Sequence, residues 1–497
     1  MNTTIRKRLS VVTLALLVNV PANADVATDA KQQIARIQQL DDAGPQINAV
    51  LVFDAQAPNK AAQISATSLL AGRTVLIKDN IETAEWPTTA GSLALKSNRT
   101  LRDAPLIANL RSAGGIVLGK TNLSEWANFR DDHSTSGWSA IGGLTKNPHA
   151  LDRNSCGSSS GSGAAIAAGF AWGAIGTETN GSIVCPASLN GIVGFKPSVG
   201  LVSRTHVIPI SPRQDTAGPM TQTVADAALL LTAIAGPDPQ DPVTLNTPLE
   251  GKNYTAGLGA ASLRGVRLGV MTQQLGSRAH TRKLFTQATT DLRRAGAELV
   301  AIDFTADDSL QADHYYLLAY DFARSIDAYL QSLPGTNLPR SLKDLIDFNQ
   351  ANQATEMRYF GQSVFAEAAS ANDPQRYKQA LERTRAHSGA TLIDQLLEKH
   401  QVDFLIAPTI GPAWYSDLIN GDSFFDRIGF GSPPARGGYP HLTVPMGAVQ
   451  GLPVGLSIIG SKWQDHEVLK AGAAYERSRS AVLPKPSFKR WSPPSKP

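Results

Sequence analysis

Asn154-Ser155-Cys156-Gly157-Ser158-Ser159-Ser160-Gly161-Ser162-Gly163 opens a run of 24 residues without a formal charge, which ends at Thr177. Its first half is Ser and Gly, so the run cannot span a bilayer. Gly permits unusual backbone angles and close backbone approach, and Ser supplies small polar groups that can be satisfied locally. The second half, Ala164 to Gly173, predicts a small-residue helix suited to tight burial. A second Gly/Ser turn follows, Gly176-Thr177-Glu178-Thr179-Asn180-Gly181-Ser182. Two polar turns joined by a buried helix predict a pre-built site. A flexible loop followed by a core helix is the other reading of the same composition.

Outward from this stretch, short apolar runs alternate with helical ones. Thr74 to Ile77, Ile116 to Leu118, Val266 to Val270 and Phe404 to Ala407 predict buried strands. Leu106 to Ala113, Asp226 to Ala235 and Arg282 to Ala295 predict helices between them. Ala30 to Leu40 carries Ile34, Ile37 and Leu40 at helical spacing. Strands alternating with helices predict an α/β class with a largely buried sheet. Residues 312–400 read as helical and charged, with Tyr315, Leu318 and Phe322 on one face, and predict a helical cover. There is no repeat period and no long linker, so one large domain is expected.

The chain has 497 residues, with 42% hydrophobic and 18% charged side chains and a net charge of +4. Its mean hydropathy is −0.14. These values describe a globular chain, neither disordered nor multi-spanning. No Lys/Arg stripe of the kind phosphate binding needs is present, which argues against a nucleic-acid partner. Two cysteines exclude a disulfide scaffold and a four-cysteine zinc site. Arg6, Lys7 and Arg8, the apolar stretch Leu9 to Val20, and Ala22-Asn23-Ala24 have the build of a bacterial signal peptide. Residues 1–24 are expected to be removed after Ala24, leaving residues 25–497 in the periplasm or beyond, without stable membrane insertion. The leader carries three of the 46 basic side chains and no acid, so the mature charge falls to +1.

Two motifs are misleading. Gly157-Ser158-Ser159-Ser160-Gly161 matches a nucleophile elbow centred on Ser159, but that motif needs a strand directly before it. Asn147 to Asn154 reads as loop, which argues against an α/β-hydrolase esterase. Gly114 to Thr121 matches a P-loop pattern, yet its variable positions hold Ile116-Val117-Leu118, a strand rather than a phosphate cradle.

The pieces taken in order are Val75-Leu-Ile-Lys78-Asp79-Asn80, Ala90-Gly91-Ser92, Gly119 to Trp126, Gly157 to Gly163, and Gly176 to Pro186. Gly191 to Pro197, Asp215 to Pro219, Ala407-Pro408-Thr409 and Gly451 to Gly455 follow. This series resembles the amidase signature family over nearly all of the mature chain. The wording around Trp126, Ser158 and Cys185 is most similar to bacterial peptide amidases. The resemblance implies a central mixed β-sheet covered by helices on both faces. It also implies a substrate-shaping helical region over about 307–400, and hydrolysis of carboxylic amides, C-terminal peptide amides in particular, without cofactor or metal. Many relatives have Gly-Gly-Ser-Ser-Gly-Gly where this chain has Cys156 to Gly161.

Amide hydrolysis needs a nucleophile, a proton acceptor that later returns the proton, and an oxyanion site. None of the nine His lies in either Gly/Ser turn. A Lys can act as the base if burial keeps it neutral, and Lys78 ends a predicted buried strand. The family pattern carries over as Lys78, Ser158 and Ser182, the two serines 24 residues apart. Ser182 is then the nucleophile, and Ser158, preceded by a cis peptide, relays its proton to Lys78. Backbone N–H groups of Thr179, Asn180 and Gly181 form the oxyanion site. Ser159 is expected to support the relay; Asp79 and Glu178 are expected to act as outer partners or caps. Trp126, Phe129 and Trp138 either line the pocket or pack the core. Cys156 and Cys185 are expected to be free buried thiols, with a disulfide as the alternative. Fatty-acid, aryl or indole acetamides are alternative substrates. The amidotransferase component that passes ammonia to a partner acting on charged tRNA is a different function on the same chemistry. No oligomeric state is readable.

Overall fold

Val75, Leu76 and Ile77 are fully buried, each worth about 1.5–3 kcal/mol against exposure, and they fix the middle of a strand that has no solvent face. The computed structural model describes residues 22–248, 251–387, 389–423, 426 and 428–493. The strands of its main sheet are β1 (Val50–Phe53), β2 (Thr74–Lys78), β3 (Ile116–Thr121), β4 (Gly173–Glu178), β5 (Val193–Lys196) and β6 (Thr216–Thr221). They continue as β7 (Arg267–Met271), β8 (Glu298–Ile302), β9 (Phe404–Pro408), β10 (His441–Val449) and β11 (Leu452–Ile459). Eleven strands run in the order β1-β3-β2-β4-β6-β5-β10-β11-β9-β7-β8. The sheet is mixed: β2 is parallel to both β3 and β4, whereas β6 is antiparallel to β4.

The helices used below are α1 (Ala22–Ile37), α2 (Pro105–Ser112), α3 (Ser160–Ala167), α4 (Val184–Leu189), α5 (Val224–Ile234), α6 (Ala279–Arg294) and α7 (Gln311–Gln331). Further along are α8 (Leu342–Ala351), α9 (Ser363–Ser370), α10 (Ser432–Gly437) and α11 (Asp465–Ser478). Side-chain alternation along β2 sends its residues to two cores. Val75 and Ile77 pack with Leu106 and Leu110 of α2, Leu231 of α5 and Leu469 of α11. Leu76 packs on the other face with Ile37 of α1 and Ala165 and Ile166 of α3. Helices therefore cover both faces, as expected for this α/β fold. A separate core joins Phe322 and Ile326 of α7, Leu345 of α8 and Phe365 of α9 to Trp126 and Phe129. This core gathers helices between residues 316 and 371 of the expected cover, whereas Leu392, Ile393, Leu396 and Leu397 pack with Met271 and Leu405 in another core. Phe322 is buried in the former, and Tyr315 and Leu318 pack against it half-buried.

Two local expectations are corrected. The small-residue helix runs from Ser160 to Ala167 and not from Ala164 to Gly173. Gly169 takes φ +72, its N–H donates to the Ile166 carbonyl, and the Phe170 N–H reaches back to the Ala165 carbonyl. That pair of bonds is a left-handed stop which glycine accepts without a Cβ penalty, and it frees Gly173 to open β4. Ala150–Asn154, expected as loop, pairs with Lys146–Asn147 in a two-stranded ribbon outside the main sheet. Of the expected leader, residues 1–21 lie outside the described residues, and Ala22 to Ala24 begin α1. Among the described residues no helix is long and apolar enough to cross a membrane.

Candidate active site

Parallel pairing aligns Ile77 of β2 with Ile175 of β4, so Lys78 arrives beside Gly176 and Thr177. Its Nζ lies 2.7 Å from Ser158 Oγ, 2.8 Å from Thr177 Oγ1 and 3.2 Å from the Thr177 carbonyl oxygen. Asn80 Nδ2 donates to the same Thr177 hydroxyl at 2.9 Å. Lys78 is fully buried, and burial pushes its ammonium down from 10.5 to about 7, against the opposing pull of Glu178 and Asp215. At neutral pH a large share of this amine is therefore able to take a proton.

Ser158 follows a cis peptide bond at Gly157. A Cβ on Gly157 would fall 2.1 Å from Ser124 Oγ, so glycine is what lets this turn close on its neighbour. The Ser159 N–H donates to the Ser182 carbonyl at 3.1 Å and joins the two turns directly. The Ser159 hydroxyl donates to the Thr177 carbonyl at 3.1 Å and accepts from the Thr177 N–H at 3.2 Å, clasping the first turn to β4.

Ser182 is 8% exposed and lies two residues before α4, whose N-cap is Ile183. Glu178 Oε2 accepts from the N–H groups of Ile183 and Val184 at 2.9 and 3.1 Å, so this carboxylate caps the start of α4. Thr179 Oγ1 donates to Asp215 Oδ1 at 2.6 Å. Burial raises the Asp215 carboxyl to about 6, resisted by hydrogen bonds from Thr179, Ile210 and Ser211. The N–H groups of Thr179, Asn180 and Gly181 have no protein acceptor among the described residues. Gly181 sits at φ +88, and a Cβ built there meets nothing within 4 Å. The space beside Gly181 and Ser182 is open where the other turn is closed.

Cys156 and Cys185 are bonded to each other, their Cα atoms 5.9 Å apart, which corrects the expectation of two free thiols. Docking of the two turns through Ser159 and Ser182 brings the cysteines within bonding range, and a distance of that kind is tertiary. Trp126, Phe129 and Trp138 are core residues: they meet Phe365, Phe322 and Phe360 edge-on at 5.6, 5.0 and 5.1 Å. Asp79 pairs with the buried Lys120 at 2.9 Å and anchors the end of β2. Thr177 and Asn80, which touch or flank the Lys78 amine, were not singled out by the sequence; only the register of β2 against β4 brings Thr177 there. Among the described residues no cluster of His, Cys, Asp or Glu is arranged to hold a metal.

A cavity of about 300 Å³ borders Asn180, with Gln311 and His314 of α7 and Ser432 and Arg436 of α10 in its wall. A second, of about 690 Å³, lies along Ile410, Pro412, Trp414 and Tyr415.

A family model described as Amidase matches residues 34–469. The native peptide amidase of Stenotrophomonas maltophilia is 44% identical, covering 93% of this chain and 95% of that one, with a TM-score of 0.86. A "Probable amidase" of Arabidopsis thaliana is 37% identical over 82% of this chain and 77% of its own length. A glutamyl-tRNA(Gln) amidotransferase component of Myxococcus xanthus is 32% identical over 93% of this chain and 96% of its own.

Proposed function

The chain belongs to the amidase signature family and is an amide-hydrolysing enzyme, and from that membership we propose that it removes the C-terminal amide of peptides through a Lys78–Ser158–Ser182 triad and an acyl-enzyme. The observation that carries the triad is the 2.7 Å contact between a buried Lys78 amine and Ser158, on the turn that docks against Ser182. The substrate class is supported by the 44% identity to a peptide amidase, against 32% to an amidotransferase component.

In this reading Ser182 Oγ attacks the amide carbonyl carbon. Its proton passes to Ser158, and the Ser158 proton to the neutral Lys78 amine. The N–H groups of Thr179, Asn180 and Gly181 take the oxyanion, where fixed donors in a dry site are most effective. Collapse of the adduct breaks the C–N bond as Lys78 returns the proton through Ser158, and ammonia leaves. Water then attacks the Ser182 ester, releasing the acid and restoring the hydroxyl. No step calls on a metal or cofactor.

The same reading assigns the protein to the periplasm or beyond. The leader-like build of residues 1–24 and the Cys156–Cys185 bond both fit an oxidising compartment. N-terminal sequencing of the protein from a periplasmic fraction, starting at Asp25, is the expected result. For the substrate, ammonia release by purified protein is measured on peptide amides, fatty-acid amides, aryl amides, indole acetamide and glutamine. Peptide amides are expected to be turned over fastest. Turnover of glutamine alone would move the assignment to the amidotransferase reading, and a preference for fatty or aryl amides would overturn the peptide one.

A further inference from the structure

The cavity beside Asn180 contains a guanidinium that no carboxylate pairs with among the described residues. Arg436 is half-buried, and its one hydrogen bond is to Gln311 Oε1 at 3.3 Å, with no ion pair among the described residues. Arg130, Arg204 and Arg213 are held by Glu125, Asp241 and Asp321, and half-buried arginines without an acid have other partners, main-chain carbonyls for Arg340 and Arg479 and the faces of Tyr415 and Trp491 for Arg153. A partly desolvated charge without a partner is costly, so an uncompensated one in a cavity wall is a mark of ligand recognition.

Its position ties it to the reacting centre. Ser432 and Arg436 are four residues apart on α10 and so share one face. The Ser432 hydroxyl donates to Asn180 Oδ1 at 3.2 Å, within the turn proposed to hold the oxyanion. Arg436 thus lies about one helical turn from the oxyanion turn. His314 of α7 lines the same wall, and burial together with Arg436 drives its imidazole down to about 4, leaving it a neutral donor at pH 7. The cavity's acids, Asp307 and Asp308, are exposed to bulk water, where their field is weak.

We propose that Arg436 is a specificity-determining residue that takes a carboxylate on the acyl part of the amide substrate, an acidic side chain of the amidated residue or of its N-terminal neighbour. This rests on the peptide-amide reading above. A guanidinium offers a fork of donors matched to a carboxylate, and the single contact to Gln311 occupies only one nitrogen of that fork.

The test compares two N-acetylated dipeptide amides, one with glutamate and one with the neutral glutamate γ-methyl ester, placed at the amidated position and then one residue upstream. For the wild-type enzyme kcat/KM is expected to favour the free acid by about tenfold or more at one of the two positions. Arg436→Gln brings that ratio near one, Arg436→Lys keeps part of it, and Arg436→Glu inverts it. A wild-type ratio near one at both positions, or a ratio unchanged in Arg436→Gln while both rates fall together, overturns the assignment and leaves the peptide-amidase reading standing. Absence of wild-type turnover on every peptide amide overturns that reading itself, and this one with it.

Discussion

Raising the pH from 6 to 8 should increase kcat/KM about tenfold. With the Lys78 amine titrating at about 7, the neutral fraction climbs from roughly 9% to roughly 91% over that interval and levels off above it. An unburied lysine at 10.5 would be only about 0.03% neutral at pH 7, so burial gives the proposed base roughly three powers of ten more of its neutral form. The charge of Glu178 works against burial and holds the amine up. Glu178→Gln removes that charge yet keeps an oxygen to accept from the Ile183 and Val184 N–H groups, and so should slide the rising limb toward acid. Asp215 titrates close by, at about 6, and competes for ownership of the limb. Asp215→Asn separates them: if Lys78 owns the limb it moves to lower pH, because Asp215 also pulls the amine upward, and if Asp215 owns it the limb disappears. The assay is initial-rate ammonia release from a neutral amide with no group titrating between pH 5 and 9. A flat profile across that range, or an alkaline shift in Glu178→Gln, refutes Lys78 as the base.

Ser182→Ala should abolish ammonia release, while Ser159→Ala retains part of it, since the Ser159 hydroxyl bonds only to the main chain of Thr177. Rates on a simple amide decide, and an active Ser182→Ala beside a dead Ser159→Ala hands the nucleophile's role to the Gly157–Gly161 motif. The disulfide closes a loop with a sequence separation of 29, worth about 3.6 kcal/mol of unfolded-state entropy. With an unfolding entropy of about 1 kcal/mol/K for a chain of 497 residues, the Cys156→Ser/Cys185→Ser double variant should melt about 3–4 °C lower. A thiol count of two on denatured, unreduced wild-type protein sinks this. Lys78→Met should raise the melting temperature, because lowering the amine from 10.5 to about 7 costs the fold roughly 4–5 kcal/mol wherever the lysine stays charged. That penalty is complete below about pH 7 and fades as pH climbs toward 10.5, so the gain must be larger at pH 6 than at pH 9 in matched thermal scans.

The strands were legible where one segment is buried on both faces. Val75 to Ile77 and Ile116 to Leu118 are uninterrupted apolar runs, and the structure extends them only to Lys78 and Thr121. The end of α3 was not legible, because Gly169 and Gly173 both stand in an apolar stretch where composition gives no preference for one glycine over the other as the stop. The candidate site was legible as a list of candidate positions and illegible as a geometry. Lys78 could be placed at a strand end, but its contact with Thr177 depends on the parallel register of β2 and β4. The disulfide needed the distance between two turns, and so did the choice between pocket and core for Trp126, Phe129 and Trp138.

The glycines separate these two kinds of information. In sequence Gly157, Gly176 and Gly181 are alike, three members of Gly/Ser turns. In the fold, a methyl on Gly157 would strike Ser124 Oγ at 2.1 Å, and one on Gly176 would strike Ser159 Oγ at 2.7 Å. Both are glycine so that the chain can pack upon itself and bring Ser158 and Ser159 against β4. A methyl on Gly181 would strike nothing. Close packing cannot be the reason for glycine there. Its φ of +88 accounts for part of the requirement, and in the proposed mechanism the open space beside Ser182 is where the carbonyl enters to meet the turn's free N–H groups. The first two glycines build the wall that buries Lys78 and lowers its basicity, and the third leaves the opening through which, in the proposed mechanism, that basicity is used.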